Sequence, residues 1–410
     1  MSQVRDLLVS SARSIFETTV TREVIDGVES GQFPRRVWDA IDDAGLDLAL
    51  VPEDRGGAGV SFADAAAILR VAGAAAAPAP LADSLIARRL LAECGLEADP
   101  GPLAIASSDP ALDGPVERSS RREAKTRGSS AGAGPPAGRA APPSDAMSRG
   151  TVSSTGSGPP TVRVQRGGRG FRLDGEAHGV PFARFASAIV VPVASRKGTR
   201  LAVVPRDRAE IDEDASLAGE PRDRVRWSGA VLEPGRVSEP SAPASIERMR
   251  LLGAFSRAAL MSGALERILA MTVDYARERI QFGRPIGQFQ AVQQELAVLA
   301  GEVAAAQSAA DTAAAALDAG GDSSVELAVA VAKMRVGEAA GRAAKIAHQV
   351  HGAIGFTQEH ELHYRTRRLW AWRDEYGSET FWAERVGEAV LRTGARGLWP
   401  LLTGTSPLTF

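Results

Sequence analysis

Two stretches hold most of the groups that could do chemistry. The first runs Arg279-Ile280-Gln281-Phe282-Gly283-Arg284-Pro285-Ile286-Gly287-Gln288-Phe289-Gln290. It brings together the Arg279 guanidinium, the Gln281 and Gln290 amides, and the Phe282 and Phe289 rings. A planar fork of donors grips phosphate and a ring offers a stacking or edge contact, so the set suits an anionic, planar ligand. The second runs Gln349-Val350-His351-Gly352-Ala353-Ile354-Gly355-Phe356. Its glycines let a ligand approach the backbone closely while Gln349 donates to it. The same glycines also serve as a helix stop.

Further along, Asp374 and Glu375 close a run rich in Arg and Trp, Tyr364 to Arg373. Either acid could accept a proton, and both could equally pair with neighbouring arginines. In isolation the run would suit nucleic acid, because arginine with interleaved aromatics stacks on bases. Four of the five histidines form two His-x-x-His pairs, His348 with His351 and His360 with His363. Residues three apart share a helix face, yet no carboxylate–histidine spacing of a catalytic metal site accompanies them, so no metal is expected. Cys94 stands alone and reads as a core residue.

These groups need elements to position them. Gly283, Pro285 and Gly287 forbid one continuous helix, so 279–290 reads as a polar joint between helical runs 244–278 and 291–318. Two more long helices follow, 322–350 and 378–399; Gly320-Gly321 ends the second helix, and Ser323 with Glu326 has capping-box spacing. Four such helices read as a bundle. Residues 161–239 instead alternate apolar and polar side chains, or run apolar in short bursts such as Ile189-Val190-Val191, the pattern of a small β unit. Residues 1–95 read as mostly helical, with a structural Gly-rich loop at 52–60 and Ser61 opening the next helix. The expected fold is therefore α+β and mostly α: an N-terminal helical domain over 1–100, a middle β domain over 101–243, and a C-terminal four-helix bundle over 244–410. Between Glu117 and Pro160 the only large apolar side chains are Met147 and Val152. Such a segment does not bury enough surface to offset its ordering entropy and is expected to be disordered. An insertion or a local shift of reading frame would each produce it.

Composition sets the bounds. A chain of 410 residues has room for two or three domains, and 44% hydrophobic with 24% charged residues is ordinary for a soluble protein. A net charge of −2 gives no global reason to expect nucleic acid or an acidic membrane. No 18-residue apolar run exists, and a single cysteine fits a reducing cytoplasm, which is the expected location.

The wording RxQFGxPIGxFQ, followed about sixty residues later by QVHGAIGF, resembles the acyl-CoA dehydrogenase family. The resemblance implies FAD as cofactor, held across a subunit interface by Arg279, Gln281, Phe282 and Gln290 of one chain and Gln349, Gly352 and Gly355 of another. It also implies an acyl-CoA substrate, an electron-transferring flavoprotein as acceptor, and a homodimer or homotetramer or else a hetero-oligomer. Counting without gaps from Tyr364-Arg365 puts the family's catalytic glutamate at Asp374, with Glu375 beside it and the glycine that normally follows displaced to Gly377. Some family members carry the base on the first bundle helix instead; that position here is Gly253, and Glu247 and Arg250 nearby read as surface or cap residues. Three functions follow from the resemblance: an FAD-dependent acyl-CoA dehydrogenase, a non-catalytic partner subunit of one, or a flavin oxidase of the same fold. The first is the leading reading, with Asp374 or Glu375 as the base, and the altered base motif is what speaks for the second.

Overall fold

The computed structural model describes residues 3–107, 161–168, 170–394 and 396. The stretch expected to be disordered, 117–160, lies outside the described residues. Helices come first: α1 (Gln3–Thr19), α2 (Arg22–Glu29), α3 (Arg35–Asp43), α4 (Phe62–Ala74) and α5 (Leu81–Glu93). In α3 the apolar residues Val37, Trp38 and Ile41 fall on one face and are buried there. Ser61 caps α4, its hydroxyl accepting from the Asp64 amide at 3.1 Å. The first two amides of α4, those of Phe62 and Ala63, donate to the Asp318 carboxylate at 2.6 and 3.0 Å. A carboxylate of the chain itself thus fills the helix N-terminus behind the Gly-rich loop, where a phosphate would otherwise sit.

A seven-stranded sheet follows, from β1 (Leu103–Ile105), β2 (Arg163–Gly167), β3 (Gly170–Pro181), β4 (Ala188–Ser195), β5 (Gly198–Pro205), β6 (Glu210–Asp212) and β7 (Arg222–Leu232). β4 takes β5 along one edge and, along the other, β1 at its start and β2 at its end. β3 then pairs with β2 and β7, and β6 closes the far edge against β7. The short strand β6 has no apolar run to announce it; it forms because β7 offers an unpaired edge.

The C-terminal part holds α6 (Ile246–Glu278), α7 (Gln290–Ala319), α8 (Asp322–His351), α9 (Leu362–Asp374) and α10 (Glu379–Thr393). α9 is an addition to the four helices expected, hidden in the sequence by its arginines. α8 begins at Asp322, ahead of the expected cap at Ser323, and Glu326 pairs with Arg385 of α10 instead of closing a capping box.

α4 crosses α6 at very short range. Gly73 stands against the Leu260 carbonyl and Gly263 against the Arg70 carbonyl, and an added Cβ at either would overlap backbone. Gly263→Ala is therefore expected to destabilise by roughly 1–3 kcal/mol, the usual cost of overpacking. Gly387 in α10 faces open space, so Gly387→Ala is expected to stabilise by about 0.5–1 kcal/mol. Opposite shifts in denaturation midpoint bear this out; a neutral Gly263→Ala would mean that the crossing yields.

Candidate active site

The site is built on the buried side of α9. Tyr364 donates its hydroxyl to Asp26 of α2 at 2.6 Å, and Arg367 donates to Glu29 of the same helix. Arg365 donates to the Ala74 carbonyl at the end of α4. Arg368 and the Trp372 indole share the two oxygens of Glu220, at 3.0 and 3.1 Å. The aromatic and basic run is thus a buried connector between elements, not a nucleic-acid surface.

Lys333 of α8 fixes the end of α9. Its ammonium, almost wholly buried, donates to the Trp372 and Arg373 carbonyls at 3.2 and 2.7 Å. Burial pushes its pKa down to about 8. Beyond this point Glu375 is extended, Tyr376 adopts φ 56 and Gly377 φ 100. The turn sends neighbouring side chains different ways: Asp374 is exposed, while Glu375 and Tyr376 are buried.

Glu375 meets two guanidiniums. One oxygen takes Arg222 of β7 at 2.8 Å and the other pairs with Arg257 of α6. Arg257 also forks onto both oxygens of Asp83 in α5, each at 2.9 Å. The Tyr376 hydroxyl donates to the same Asp83 at 3.0 Å, and its ring lies under the Arg257 guanidinium and against Gly253. Burial alone would raise Glu375, but Arg222 and Arg257 outweigh it and hold the carboxyl below its ordinary 4.5. Glu220 goes the other way, raised by burial despite Arg368.

Asp83, Glu220, Arg222, Arg257, Trp372 and Glu375 line a cavity of about 30 Å³ where α5, α6, α9 and the sheet meet, together with Leu81, Leu260, Pro181 and Phe182. That is room for about one water. Its carboxylates are Asp83, Glu220 and Glu375, and each is engaged by a guanidinium. Of the two acids singled out in the sequence, Glu375 lines this cavity and Asp374 does not. Arg250 differs from its expected place at the surface: it is buried with its guanidinium over the Phe381 ring, because α10 packs across it. Asp83, Arg222, Glu220 and Arg257 were not singled out. The signal for two of them was there: Asp83 and Arg257 are charges set inside apolar helical windows, Leu81–Leu85 and Ala254–Met261.

The polar joint is a small hairpin, residues 280–281 paired with 284–285. Phe282 at φ 51 and Gly283 at φ 79 make its turn. Arg279, Gln281 and Gln290 are exposed, and Phe282 is 92% exposed with its ring edge-on to Phe289. Among the described residues no hydrogen bond or ion pair occupies the Arg279 guanidinium. At the end of α8, Gln349 is exposed and Gly352, at φ 64, faces open space. Gly355 is buried, its bare side filled by His351, His348 and Leu362, so there it makes room for protein. The hairpin packs on α6 and α7, and the glycine turn on α8 and α9. The histidines stack on rings, His351 on Tyr275 at 4.6 Å and His348 on Phe356 at 4.4 Å.

Residues 2–98 match the family model for the acyl-CoA dehydrogenase N-terminal domain, and residues 246–390 that for the acyl-CoA dehydrogenase C-terminal domain. The chain belongs to the acyl-CoA dehydrogenase family. The family's members are oxidoreductases acting on the CH–CH bond of an acyl-CoA, with FAD as cofactor. The chain is 28% identical to the acyl-CoA dehydrogenase FadE34 of Mycobacterium tuberculosis over 401 residues, 96% of this chain and 47% of that protein. It is 27% identical to FadE27 of the same organism, covering 89% and 90%. A shorter stretch of 111 residues is 39% identical to IpdE2, also of that organism. The chain thus spans about half of FadE34 and a third of IpdE2. Its fold is that of a chain in the ChsE4–ChsE5 complex from Mycobacterium tuberculosis, with TM-score 0.77, 24% identity, and 96% and 99% of the two chains covered.

Breaking a buried ion pair leaves the other charge uncompensated. Glu375→Gln is expected to cost roughly 3–5 kcal/mol, because Arg257 keeps only Asp83 and Arg222 keeps nothing in the cavity. Asp374→Asn should stay within about 0.5 kcal/mol. The depressed Glu375 pKa contributes stability that is fully present above 4.5 and lost as pH falls through its folded value. Midpoints of denaturation measured from pH 7 down to pH 3 check both: the parent should lose its margin over Glu375→Gln toward the acid end. Equal midpoints at pH 7 would refute the pairing.

Proposed function

We propose that this chain is a subunit of an FAD-dependent acyl-CoA dehydrogenase that introduces the α,β double bond into an acyl-CoA thioester. It acts beside a homologous chain that supplies the proton-abstracting carboxylate. The observation that carries this reading is that every carboxylate lining the cavity is already bound by a guanidinium. A general base must offer a lone pair and enough basicity to take an α-proton, and two arginines on Glu375 reduce both. The other family position for a base, Gly253, lies under the Tyr376 ring.

Two copies of this chain would leave both cavities without a free base, which favours a hetero-oligomer over a homo-oligomer. The relatives support that choice. FadE34 matches nearly all of this chain with 47% of its own length, leaving about as much sequence again in the same polypeptide. The ChsE4–ChsE5 structure is a complex of two differently named chains.

The exposed donor set fits FAD. Arg279, with no partner among the described residues, would take the pyrophosphate, with Gln281, Phe282 and Gln290 around it. Gln349 and the open face of Gly352 would meet the cofactor of the neighbouring subunit. Bound FAD supplies the acceptor for the β-hydride, and the electrons pass on to an electron-transferring flavoprotein. The chain's own residues orient the cofactor and close the domain junction against water.

A second reading makes Glu375 the base of its own cleft, and the observation favouring it is that Glu375 does line the cavity. The two readings part on one experiment. The purified chain, loaded with FAD, is expected to show no bleaching with a panel of acyl-CoA thioesters, and to gain it when a homologous partner chain is added. Arg279→Ala should weaken FAD binding by on the order of 2–5 kcal/mol. Bleaching by the chain alone that Glu375→Gln abolishes would replace the subunit reading with the second one.

A further inference from the structure

The turn after α9 places an aromatic side chain beside the cavity in which an acyl group and a base would have to meet. Tyr376 is held at φ 56, a left-handed conformation that L residues with a side chain rarely adopt. The surroundings over-determine it. Its ring packs against the bare backbone of Gly253, where a Cβ would overlap three ring atoms. Its hydroxyl donates to Asp83 at 3.0 Å, the Arg257 guanidinium sits 5.2 Å from its ring centre, and its carbonyl accepts from the Trp382 indole at 3.1 Å. Asp83 and Arg257, which it touches, line a cavity of about 30 Å³, well short of the roughly 150 Å³ that holds a benzene ring.

We infer that Tyr376 is a specificity-determining plug: it shuts this chain's own acyl cleft, so that acyl-CoA enters only the cleft of the partner. Tyr376 touches Asp83 and Arg257, which line the cavity with Leu81, Ala82 and Leu260, so without the ring the space over Gly253 opens directly behind those two side chains. The two spaces together have an apolar floor suited to a short acyl chain, with Asp83 and Arg257 between them. Glycine suits φ 56 better than tyrosine does, so Tyr376→Gly removes the plug without straining the turn.

The inference rests on the cavity being the acyl cleft of the proposed dehydrogenase. Its test is butyryl-CoA binding to the full chain by equilibrium dialysis, with p-cresol, which has the shape of the lost side chain, as competitor. The parent and Tyr376→Phe are expected to bind no butyryl-CoA, and Tyr376→Gly to bind at least about tenfold more tightly, with p-cresol displacing it. Should Tyr376→Gly not fold, Tyr376→Asn, which tolerates a left-handed φ and lacks the ring, is expected to show the same gain. Butyryl-CoA binding by the parent as tight as by the variants overturns the plug, as does a folded variant that gains nothing. Failure of the subunit proposal looks different: there the parent chain alone bleaches its flavin.

Discussion

The Arg257 guanidinium is the interaction on which the junction of this molecule depends. It sits in the middle of the longest helix, is almost wholly buried, and has α5 on one side and the end of α9 on the other. An unpaired cation at such depth costs many kilocalories per mole, so the fold must bring carboxylates to it. Asp83 and Glu375 answer that demand from two helical regions, and Glu375 in turn draws Arg222 from the sheet. One buried charge therefore dictates how the N-terminal helices, the sheet and the C-terminal helices meet.

That constraint also bears on function. A carboxylate can stabilise a cation or take a proton from carbon, and the arginines that make Glu375 a good counter-ion make it a poor base. The turn at 375–377 completes the arrangement, because it directs Glu375 to the charges and Tyr376 to Gly253 while leaving Asp374 in solvent. The exposed hairpin at 279–290 obeys no such constraint: among the described residues the Arg279 guanidinium has no partner, and the Phe282 ring is uncovered, as a surface awaiting a ligand and a neighbour should be.

The broad fold was legible in the sequence because period 3.6 and period 2 alternate cleanly from one part to the next, and because Gly283, Pro285 and Gly287 mark the joint. The motif pair around 279–290 and 349–356 was legible for the same local reason: its residues are contiguous. The cavity was not. Asp83, Arg222, Glu220 and Arg257 are scattered over 175 positions and only tertiary packing makes them neighbours. α9 was not legible as a helix, because burial of its arginines depends on partners such as Glu29 and Glu220, far away in sequence. The count that pointed to Asp374 assumed a regular path, and the left-handed Tyr376 shows why counting alone does not say which acid faces inward.

The central claim is that no carboxylate lining this chain's cavity is free to take an α-proton. Deuterium exchange at the α-carbon of an acyl-CoA measures that step directly, without waiting for hydride transfer or an electron acceptor. In D₂O, the FAD-loaded chain alone should incorporate no deuterium above the uncatalysed background, while the same chain joined to a homologous partner should. Rapid α-exchange by the chain alone, lost in Glu375→Gln and kept in Asp374→Asn, would contradict the account.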